Sequence, residues 1–358
     1  MKILCVIDSL GSGGAQRQLV NLAIEFQNAG HSVSFLVYHS DPFYYPTLEA
    51  HDIDVIEVLE SNYFRRLLKM RRVIRSGKFD SVLSFLQAAN FISEISGLPY
   101  RKWRLVVGER SANPAILKSW RLKTFRLFHL FADVIVANSK SNLTLVRKVN
   151  PLLPTKKLHV IYNLIDFDKW RFRPDNYEFR KGGVFNLVVV ASHQFLKNLN
   201  GLVEAVNLLT AYQKSQLVIS WYGSGSSDVS KNEALKKIAA YQLTENFKFY
   251  VATVEIADKV NEADALGLFS FYEGLPNVVC EAMANSKPVI LSAVSDMPLL
   301  IDDDLVFDPY NYEEIAGKLT HLLNMDENLL RAVGDRNKSV AMNNFNLEDI
   351  VSEYLYHL

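Results

Sequence analysis

Cysteine is scarce in this sequence, with only Cys5 and Cys280 among 358 residues. Two cysteines cannot supply a disulfide framework or a four-thiolate zinc site, so a small domain held together by either is excluded. Both residues lie in apolar runs. This placement predicts buried free thiols in a protein of a reducing compartment.

Long hydrophobic runs are missing as well. No stretch approaches the roughly 20 apolar residues that a membrane-spanning helix needs. The apolar start, residues 1–10, passes at once into a glycine-rich turn and has neither the long apolar centre nor the cleavage site of a secretory signal. We therefore expect a cytoplasmic protein that at most rests on the inner face of the cell membrane.

The sequence also lacks an excess of either charge. Its 39 Lys and Arg residues balance 39 Asp and Glu residues, which argues against a uniformly basic nucleic-acid-binding protein. The balance conceals two halves of opposite sign, because residues 1–175 contain 25 basic and 15 acidic residues, whereas residues 176–358 contain 14 and 24. This division suggests two lobes with different partners, and the basic lobe could face phosphates or an anionic membrane surface.

Short apolar runs typical of buried strands alternate with stretches of helical periodicity along the chain. The alternation breaks in the polar and aromatic segment 167–183 and then resumes. This pattern predicts an α/β protein with parallel sheets in two lobes. The predicted parts are an N-terminal lobe over residues 1–168, a C-terminal lobe over residues 184–338, and a helical segment over residues 339–358 that could pack back onto the N-terminal lobe.

A glycine-rich turn, DSLGSGGAQRQL, follows the first predicted strand and leads into the first predicted helix. Gly13 and Gly14 would let backbone N–H groups approach an anion at the helix N-terminus, and Arg17 would add a positive charge. A tight turn without a ligand is the alternative. The turn does not fit G-x-G-x-x-G and no acidic residue follows the second strand, which argues against a nicotinamide-dependent oxidoreductase.

Two later turns also follow predicted strands. In SHQFLKN, Lys197 could hold a diphosphate as a point charge. In WYGSGSS, Gly223 and Gly225 could pass close to a ligand. A solvated lysine and a flexible loop are the respective alternatives.

The most informative segment reads FSFYEGLPNVVCEAMANSKPVI. Glu273 ends an apolar run, Pro276 suits the first turn of a helix, and the helix predicted over residues 277–284 carries Glu281. Glu273 could accept hydrogen bonds from hydroxyl groups, backbone N–H groups from Gly274 onward could meet phosphate oxygens, and Glu281 could accept two ribose hydroxyls. Two carboxylates on a helix surface are the alternative interpretation.

The two glutamates within YEGLPNVVCEAMA, followed by KPVI, resemble the signature of the retaining glycosyltransferases of family 4, which have the GT-B fold. Other segments follow the order of that family: DSLGSGGAQR, VIVANS, VIYNLID, VVVASHQFLKNLNGLVEA and YGSGS. The resemblance covers nearly the entire chain. It is most specific in residues 269–290 and looser in the N-terminal lobe, which in this family adapts to the acceptor.

The resemblance implies an enzyme with two Rossmann-like lobes and an interlobe cleft. Such an enzyme moves a sugar from a nucleotide-diphosphate sugar, in this family most often a UDP-sugar, to an acceptor hydroxyl with retention of anomeric configuration. Glycan or lipid-linked acceptors are common in the family and imply a place in surface polysaccharide or glycolipid biosynthesis. No cofactor and no metal is implied, because Lys197 and helix N-termini would offset the phosphate charge.

Residue by residue, the resemblance implies that Glu281 binds the ribose, Glu273 contacts the transferred sugar and Lys197 binds the diphosphate. Gly13 and Gly14 would close over the donor from the N-terminal lobe. The other donor-binding residues implied by position are Gly223, Gly274, Leu275, Asn277 and Val278.

Two departures from the family pattern affect the expected site. The family usually has an arginine five or six residues before the loop lysine, where this sequence has Ser192 and an alanine, and either His193 or Arg17 could replace its charge. In place of a histidine near the transferred sugar stand Glu109 and Arg110, which either position that sugar or form a structural pair. The missing arginine leaves a non-catalytic nucleotide-sugar-binding subunit as the alternative function.

Two stretches of the N-terminal lobe, NYFRRLLKMRRVIR and KSWRLKTFRLFHLF, combine basic with aromatic residues. They are either solvated helix faces or surfaces for anionic lipid head groups, where each charge contributes about 1 kcal/mol. The predicted lipid contacts in the first stretch are Arg65, Arg66, Arg71 and Arg72.

Overall fold

The computed structural model describes residues 1–223 and 229–358. The chain forms two compact units, of which unit 1 comprises residues 1–164 and 346–358 and unit 2 comprises residues 165–345. Each unit is built on one parallel sheet with helices between the strands. The α/β class with two Rossmann-like lobes that the sequence predicts is therefore confirmed.

The sheet of unit 1 has seven parallel strands in the order β3-β2-β1-β4-β5-β6-β7. The strands are Lys2–Val6 (β1), Ser32–Val37 (β2), Asp54–Glu57 (β3), Ser81–Phe85 (β4), Arg104–Glu109 (β5), Val134–Ala137 (β6) and Leu158–Val160 (β7). Six helices lie between and beside them: Gly14–Asn28 (α1), Tyr45–Glu49 (α2), Tyr63–Ser76 (α3), Gln87–Ser96 (α4), Trp120–Leu127 (α5) and Lys140–Val149 (α6). The central strands β1 and β4 are buried along nearly their whole length because helices cover the sheet on both faces.

The helices of unit 1 divide between the two faces of the sheet. Buried residues of α1 and α2 form one core with the sheet. Those of α3, α4 and α6 form a second core on the opposite face, and α5 packs against α4 and α6. Both basic stretches of the sequence, in α3 and α5, therefore lie in the same helical layer.

The sheet of unit 2 has six parallel strands in the order β10-β9-β8-β11-β12-β13. They are Phe185–Val190 (β8), Leu217–Tyr222 (β9), Phe247–Tyr250 (β10), Ala265–Leu268 (β11), Val289–Ser292 (β12) and Val306–Phe307 (β13). Its helices are Leu199–Leu208 (α7), Ala211–Ser215 (α8), Ser230–Ala240 (α9), Ile256–Glu262 (α10), Asn277–Ala284 (α11), Tyr312–Asn324 (α12) and Glu327–Asn344 (α13).

The last helix, Leu347–His357 (α14), belongs to unit 1 although it follows unit 2 in the chain. Its buried residues Ile350 and Tyr354 join the core formed by α1 and α2. The hydroxyl of Ser81 donates to the carbonyl oxygen of Leu358. The boundary predicted after residue 338 falls inside α13, and the chain changes unit after residue 345.

Residues 199–215 form two helices and not one, because Leu209 is extended and Thr210 caps the second helix. Cys5 and Cys280 are free and buried, as expected. Within the described residues, no helix is both long enough and apolar enough to cross a membrane.

Candidate active site

The strand ends of unit 2 bring together the loops that the sequence singles out. Because parallel strands end at the same edge, the loops after β8 and β11 are neighbours there. The backbone N–H of Phe271 donates to the carbonyl oxygen of Leu196 at 2.9 Å, and the rings of Phe195 and Phe271 lie 5.1 Å apart. We call this edge, with residues 191–198 after β8, Gly223 after β9 and residues 269–276 after β11, the carboxyl edge of unit 2.

Lys197 and Glu273 form an ion pair at the carboxyl edge. Lys197 Nζ lies 2.6 Å from Glu273 Oε1, and the side chains are only 21% and 16% exposed. The next residue, Asn198, has a left-handed backbone and caps α7 by accepting a hydrogen bond from the N–H of Gly201. Its amide also donates to the carbonyl oxygen of Pro309, so the backbone beside the lysine is fixed on two sides.

Helix α11 begins beside Glu273, as the sequence predicts. Pro276 occupies the N-cap position, one residue earlier than the predicted first turn, and Asn277 is the first helical residue. The hydroxyl of Ser295 donates to the carbonyl oxygen of Gly274 and tethers the loop between strand and helix. Glu281 lies one turn into α11 and is almost completely buried, at 4% exposure. The arrangement places a helix N-terminus, which favours anions, next to the ion pair.

His193 belongs to the loop after β8, and its side chain is buried. Its ring stacks on Trp221 with centroids 6.0 Å apart, and its Nε2 lies 3.2 Å from Lys231 Nζ in the second position of α9. Burial, and then the charge of Lys231, lower the pKa of His193. The imidazole is therefore neutral near pH 7 and does not replace the charge of a missing arginine.

Gly223 lies at the end of β9, where the backbones of two loops approach closely. A Cβ atom at this position would clash with the carbonyl oxygen of Ala191, to which Trp221 Nε1 also donates at 2.8 Å. Packing alone therefore requires glycine at position 223, independently of any ligand. Ser192 adjoins this contact, and Gly225 lies outside the described residues.

In unit 1, the glycine-rich turn lies at the N-terminus of α1. Gly13 is the N-cap residue with an extended backbone, Gly14 is the first helical residue, and the first turn contains no acidic side chain. The N–H of Arg17 donates to the carbonyl oxygen of Gly13 at 2.9 Å, which completes that turn. The Asp8 carboxylate at the end of β1 accepts a hydrogen bond from Gln16 at 2.9 Å.

Glu109 lies in the interior of unit 1 and not at a substrate-binding surface. Its two oxygens accept hydrogen bonds from Arg126 Nη2 at 2.7 Å and His129 Nε2 at 2.9 Å, and it is 2% exposed. Burial acts to raise the pKa of Glu109, but Arg126 and His129 outweigh it and lower that pKa. The predicted catalytic role of Glu109 is therefore corrected to a structural one, because no oxygen remains for a substrate hydroxyl.

Arg110 does not pair with Glu109, so the structural pair offered as an alternative is also corrected. Its guanidinium lies 3.7 Å from the centre of the Phe85 ring and donates to Asn163 and to the hydroxyl of Tyr354. Arg110 therefore fastens α14 to the end of β5.

The buried charges that surround Glu109 could not be predicted from residue spacing. His129 donates from both ring nitrogens, since its Nε2 bonds to Glu109 and its Nδ1 lies 2.6 Å from the carboxylate of Glu94. Burial alone would lower the pKa of His129, but Glu94 and Glu109 raise it to about 9. Glu94, Glu109, Arg126 and His129 form what we call the buried charge cluster.

Part of the first basic stretch is structural. Arg71 donates to the carbonyl oxygens of Ile95 and Leu98, and Arg75 donates to that of Ser96 at 3.0 Å. Both arginines thus satisfy the C-terminal end of α4. Arg71 was expected to contact lipid, and this expectation is corrected because its guanidinium is already engaged.

Several large apolar side chains of α3 and of the segment around α5 are exposed among cations. Phe64 is 66% exposed and Trp120 is 78% exposed, which is unusual for side chains of this size. We call these exposed residues of α3 and of the segment around α5 the outer face of unit 1; the apolar ones are Phe64, Leu68, Leu117, Trp120, Leu127 and Phe131, and the cations include Arg65, Arg72, Lys118 and Arg121.

Two family models match the chain, one for each unit. The model described as Glycosyltransferase Family 4 matches residues 12–169, and the model described as Glycosyl transferases group 1 matches residues 175–340. The second match contains the whole carboxyl edge of unit 2.

Curated relatives are similar along nearly the full length of the chain. A Campylobacter jejuni enzyme is 25% identical over 99% of this chain and 97% of its own length. Its name is GalNAc-alpha-(1->4)-GalNAc-alpha-(1->3)-diNAcBac-PP-undecaprenol alpha-1,4-N-acetyl-D-galactosaminyltransferase. The amylovoran biosynthesis glycosyltransferase AmsD of Erwinia amylovora is 24% identical over 90% of each chain.

Solved structures share the fold over the full chain. Anabaena HepE in complex with UDP-glucose has a TM-score of 0.87, with 18% identity and 100% of each chain covered. Sucrose-phosphate synthase of Thermosynechococcus elongatus has a TM-score of 0.84, with 16% identity over 99% of this chain and 98% of the other. At these identities the likeness establishes the fold.

Proposed function

The chain is a glycosyltransferase of the family 4 type with the GT-B fold, and we propose that it transfers a sugar from a nucleotide-diphosphate sugar to a lipid-linked glycan with retention of configuration. The observation that carries this proposal is the Lys197–Glu273 ion pair beside the N-terminus of α11. A cation, a carboxylate and a helix N-terminus at one edge match the phosphates and hydroxyls of such a donor.

Each residue of the edge has a distinct proposed task. Lys197 leaves Glu273 for the diphosphate and offsets the negative charge that grows on the leaving group as the bond to the anomeric carbon breaks. Glu273 then accepts hydrogen bonds from the transferred sugar, and Glu281 accepts them from the ribose. The backbone from Gly274 to Val278 lies along the phosphates.

The bond changes follow from retention. The bond between the anomeric carbon and the diphosphate oxygen breaks, the acceptor oxygen bonds to the same face of that carbon, and the acceptor proton passes to the departing diphosphate. We propose that Lys197 and the N-terminus of α11 offset the phosphate charge without a metal ion.

We propose a uridine diphosphate sugar as the donor. Support comes from Anabaena HepE, which shares the fold and was solved with UDP and with UDP-glucose. The test is a thermal-shift screen of UDP-, GDP-, ADP- and dTDP-sugars, because a ligand that binds only the folded chain raises its melting temperature. A UDP-sugar should give the largest shift, and transfer from it to a lipid-linked acceptor should persist in EDTA. Failure of every nucleotide sugar to shift the melting temperature would contradict the proposal.

The two glutamates should respond differently to substitution. Glu281→Ala should weaken the donor and free UDP alike, by roughly 2–4 kcal/mol, because both contain the ribose. Glu273→Gln should lower turnover, because the carboxylate that accepts hydrogen bonds from the transferred sugar is lost. It should not weaken the binding of UDP, because Lys197 loses a competing carboxylate and keeps its own charge. Calorimetric titration with UDP and steady-state rates separate the two effects, and an equal loss of UDP affinity in both variants would refute this division of tasks.

We propose that the acceptor is carried by a membrane lipid at the cytoplasmic face and that the outer face of unit 1 meets that membrane. The name of the Campylobacter relative specifies an undecaprenol-linked acceptor, which supports a lipid-linked acceptor here. Exposed aromatic residues among exposed cations are the chemistry of a surface that binds at an anionic interface. Residues 1–175 also contain more basic than acidic residues, and this positive charge would be attracted to an anionic membrane.

Removing two exposed cations from the outer face should weaken membrane binding. Arg65→Gln with Arg121→Gln should reduce binding to anionic vesicles by about 30-fold, at about 1 kcal/mol per charge. Trp120→Ser should weaken it further by removing apolar contact. Sedimentation with liposomes of increasing anionic content measures the effect, and Lys181→Gln with Lys236→Gln in unit 2 is the charge-matched control. Equal pelleting of both double variants would contradict the assignment of this face.

A further inference from the structure

A diphosphate ester brings about two negative charges to the carboxyl edge, and Lys197 supplies one cation that is already paired with Glu273. A second cation at the same edge would complete the neutralisation. Neither Ser192 nor the neutral His193 can provide it.

Lys231 is brought to this edge by contacts between two helix starts. The Asn200 side chain, in the first turn of α7, donates to the carbonyl and hydroxyl oxygens of Ser230 at 3.1 and 3.2 Å. Lys197 lies just before α7, and Lys231 is the second residue of α9. The contacts of Asn200 with Ser230 therefore bring the start of α9, with Lys231, next to the loop that carries Lys197.

His193 holds Lys231 without cancelling its charge. An ammonium group can only donate, so His193 Nε2 accepts from Lys231 at 3.2 Å and the imidazole carries its proton on Nδ1. The Lys231 ammonium also lies 5.1 Å from the centre of the Phe249 ring. Within the described residues, no carboxylate forms an ion pair with Lys231. Its remaining N–H groups are thus available to a phosphate oxygen.

We infer that Lys231, positioned by the buried and neutral His193, is the second cationic group that binds the diphosphate of the donor. This inference rests on the proposed function, because it concerns the same donor. It assigns His193 a positioning role, through a hydrogen bond that only an unprotonated ring nitrogen can accept. An aliphatic side chain could fill the same space beside Trp221, but it could not accept this hydrogen bond from Lys231.

Replacing Lys231 should reduce binding of phosphates and leave binding of the nucleoside unchanged. In the full chain, Lys231→Met should weaken UDP by about 10- to 100-fold, as expected for loss of a charged hydrogen bond, with no change for uridine. Lys231→Arg should retain most of the affinity. Lys236→Met, an exposed lysine on the same helix, is the matched control and should bind UDP as the unsubstituted chain does. Titration calorimetry with UDP and uridine measures these ratios.

His193→Phe tests the positioning role, because it keeps the stacking on Trp221 but removes the hydrogen-bond acceptor. It should weaken UDP by a smaller factor than Lys231→Met, and the two substitutions together should cost no more than Lys231→Met alone. A folded Lys231→Met chain that binds UDP normally, while Lys197→Ala does not, overturns the assignment of Lys231 and leaves the proposed function intact. An unsubstituted chain that binds neither UDP, GDP nor ADP overturns both.

Discussion

Lys197→Ala should lower turnover by about 10²- to 10³-fold. The lysine would no longer offset the charge on the leaving diphosphate, and an electrostatic contribution of this kind is among the largest in catalysis. The structure adds a second reason, because the substitution leaves the Glu273 carboxylate, 2.6 Å from Lys197 Nζ in the ion pair, facing the phosphates without compensation. Rates at saturating donor measure the effect.

Two further variants separate the causes of that loss. Lys197→Arg keeps a cation and should recover part of the turnover, whereas Lys181→Ala, at an exposed position of unit 2, should change neither rate nor stability by a measurable amount. Adding Glu273→Gln to Lys197→Ala should relieve the repulsion of UDP but restore no turnover. Normal turnover in a folded Lys197→Ala chain would exclude the role of this lysine.

His129→Gln should destabilise unit 1 by about 3–5 kcal/mol. The imidazolium lies between Glu94 and Glu109, and its removal leaves the fully buried Glu94 carboxylate without a positive neighbour in the buried charge cluster. Urea unfolding at pH 7 measures the loss, and His51→Gln, at an exposed position, is the control. A decrease in the unfolding free energy of less than 1 kcal/mol would show that the charge of His129 contributes little to the stability of the buried charge cluster.

The same cluster should make stability depend on pH. The folded pKa of His129, about 9, lies above the ordinary value of 6.5, so its contribution is full below pH 6.5 and is lost as the pH rises through 9. The unsubstituted chain should therefore lose its stability advantage over His129→Gln between pH 7 and pH 10. A constant difference between the two unfolding free energies over this range would contradict the raised pKa.

Local signals in the sequence predicted much of the fold and part of the site. The helix over residues 277–284 begins and ends where the structure has it, because Pro276 and a run of apolar residues mark its start locally. Strands β7 and β13 were not predicted, since three and two residues are too few to show a pattern. The loops of Lys197 and Glu273 share an edge because the sheet is parallel, but their adjacency depends on the strand order, which was not predicted.

Contacts between distant residues could not be predicted in the same way. Glu109 looked available at a strand end, but its environment is set by His129, 20 residues later, and by a helix that packs over it. Arg71 looked like a surface cation in the sequence, but in the structure its guanidinium donates to a carbonyl oxygen at the end of α4. Lys231 carried no motif, and its relation to His193 depends on how α9 meets α7. Each case depends on packing between elements, which residue spacing does not encode.

The return of the chain to unit 1 has a genetic consequence. Because α14 supplies Tyr354, which is buried in the core of unit 1 and bonded to Arg110, a premature stop codon near residue 345 would spare every residue of unit 2. It would nevertheless remove the helix that packs on the sheet of residues 1–164. The folding defect of such a truncation should therefore be detected in residues 1–164, which precede unit 2 in the chain.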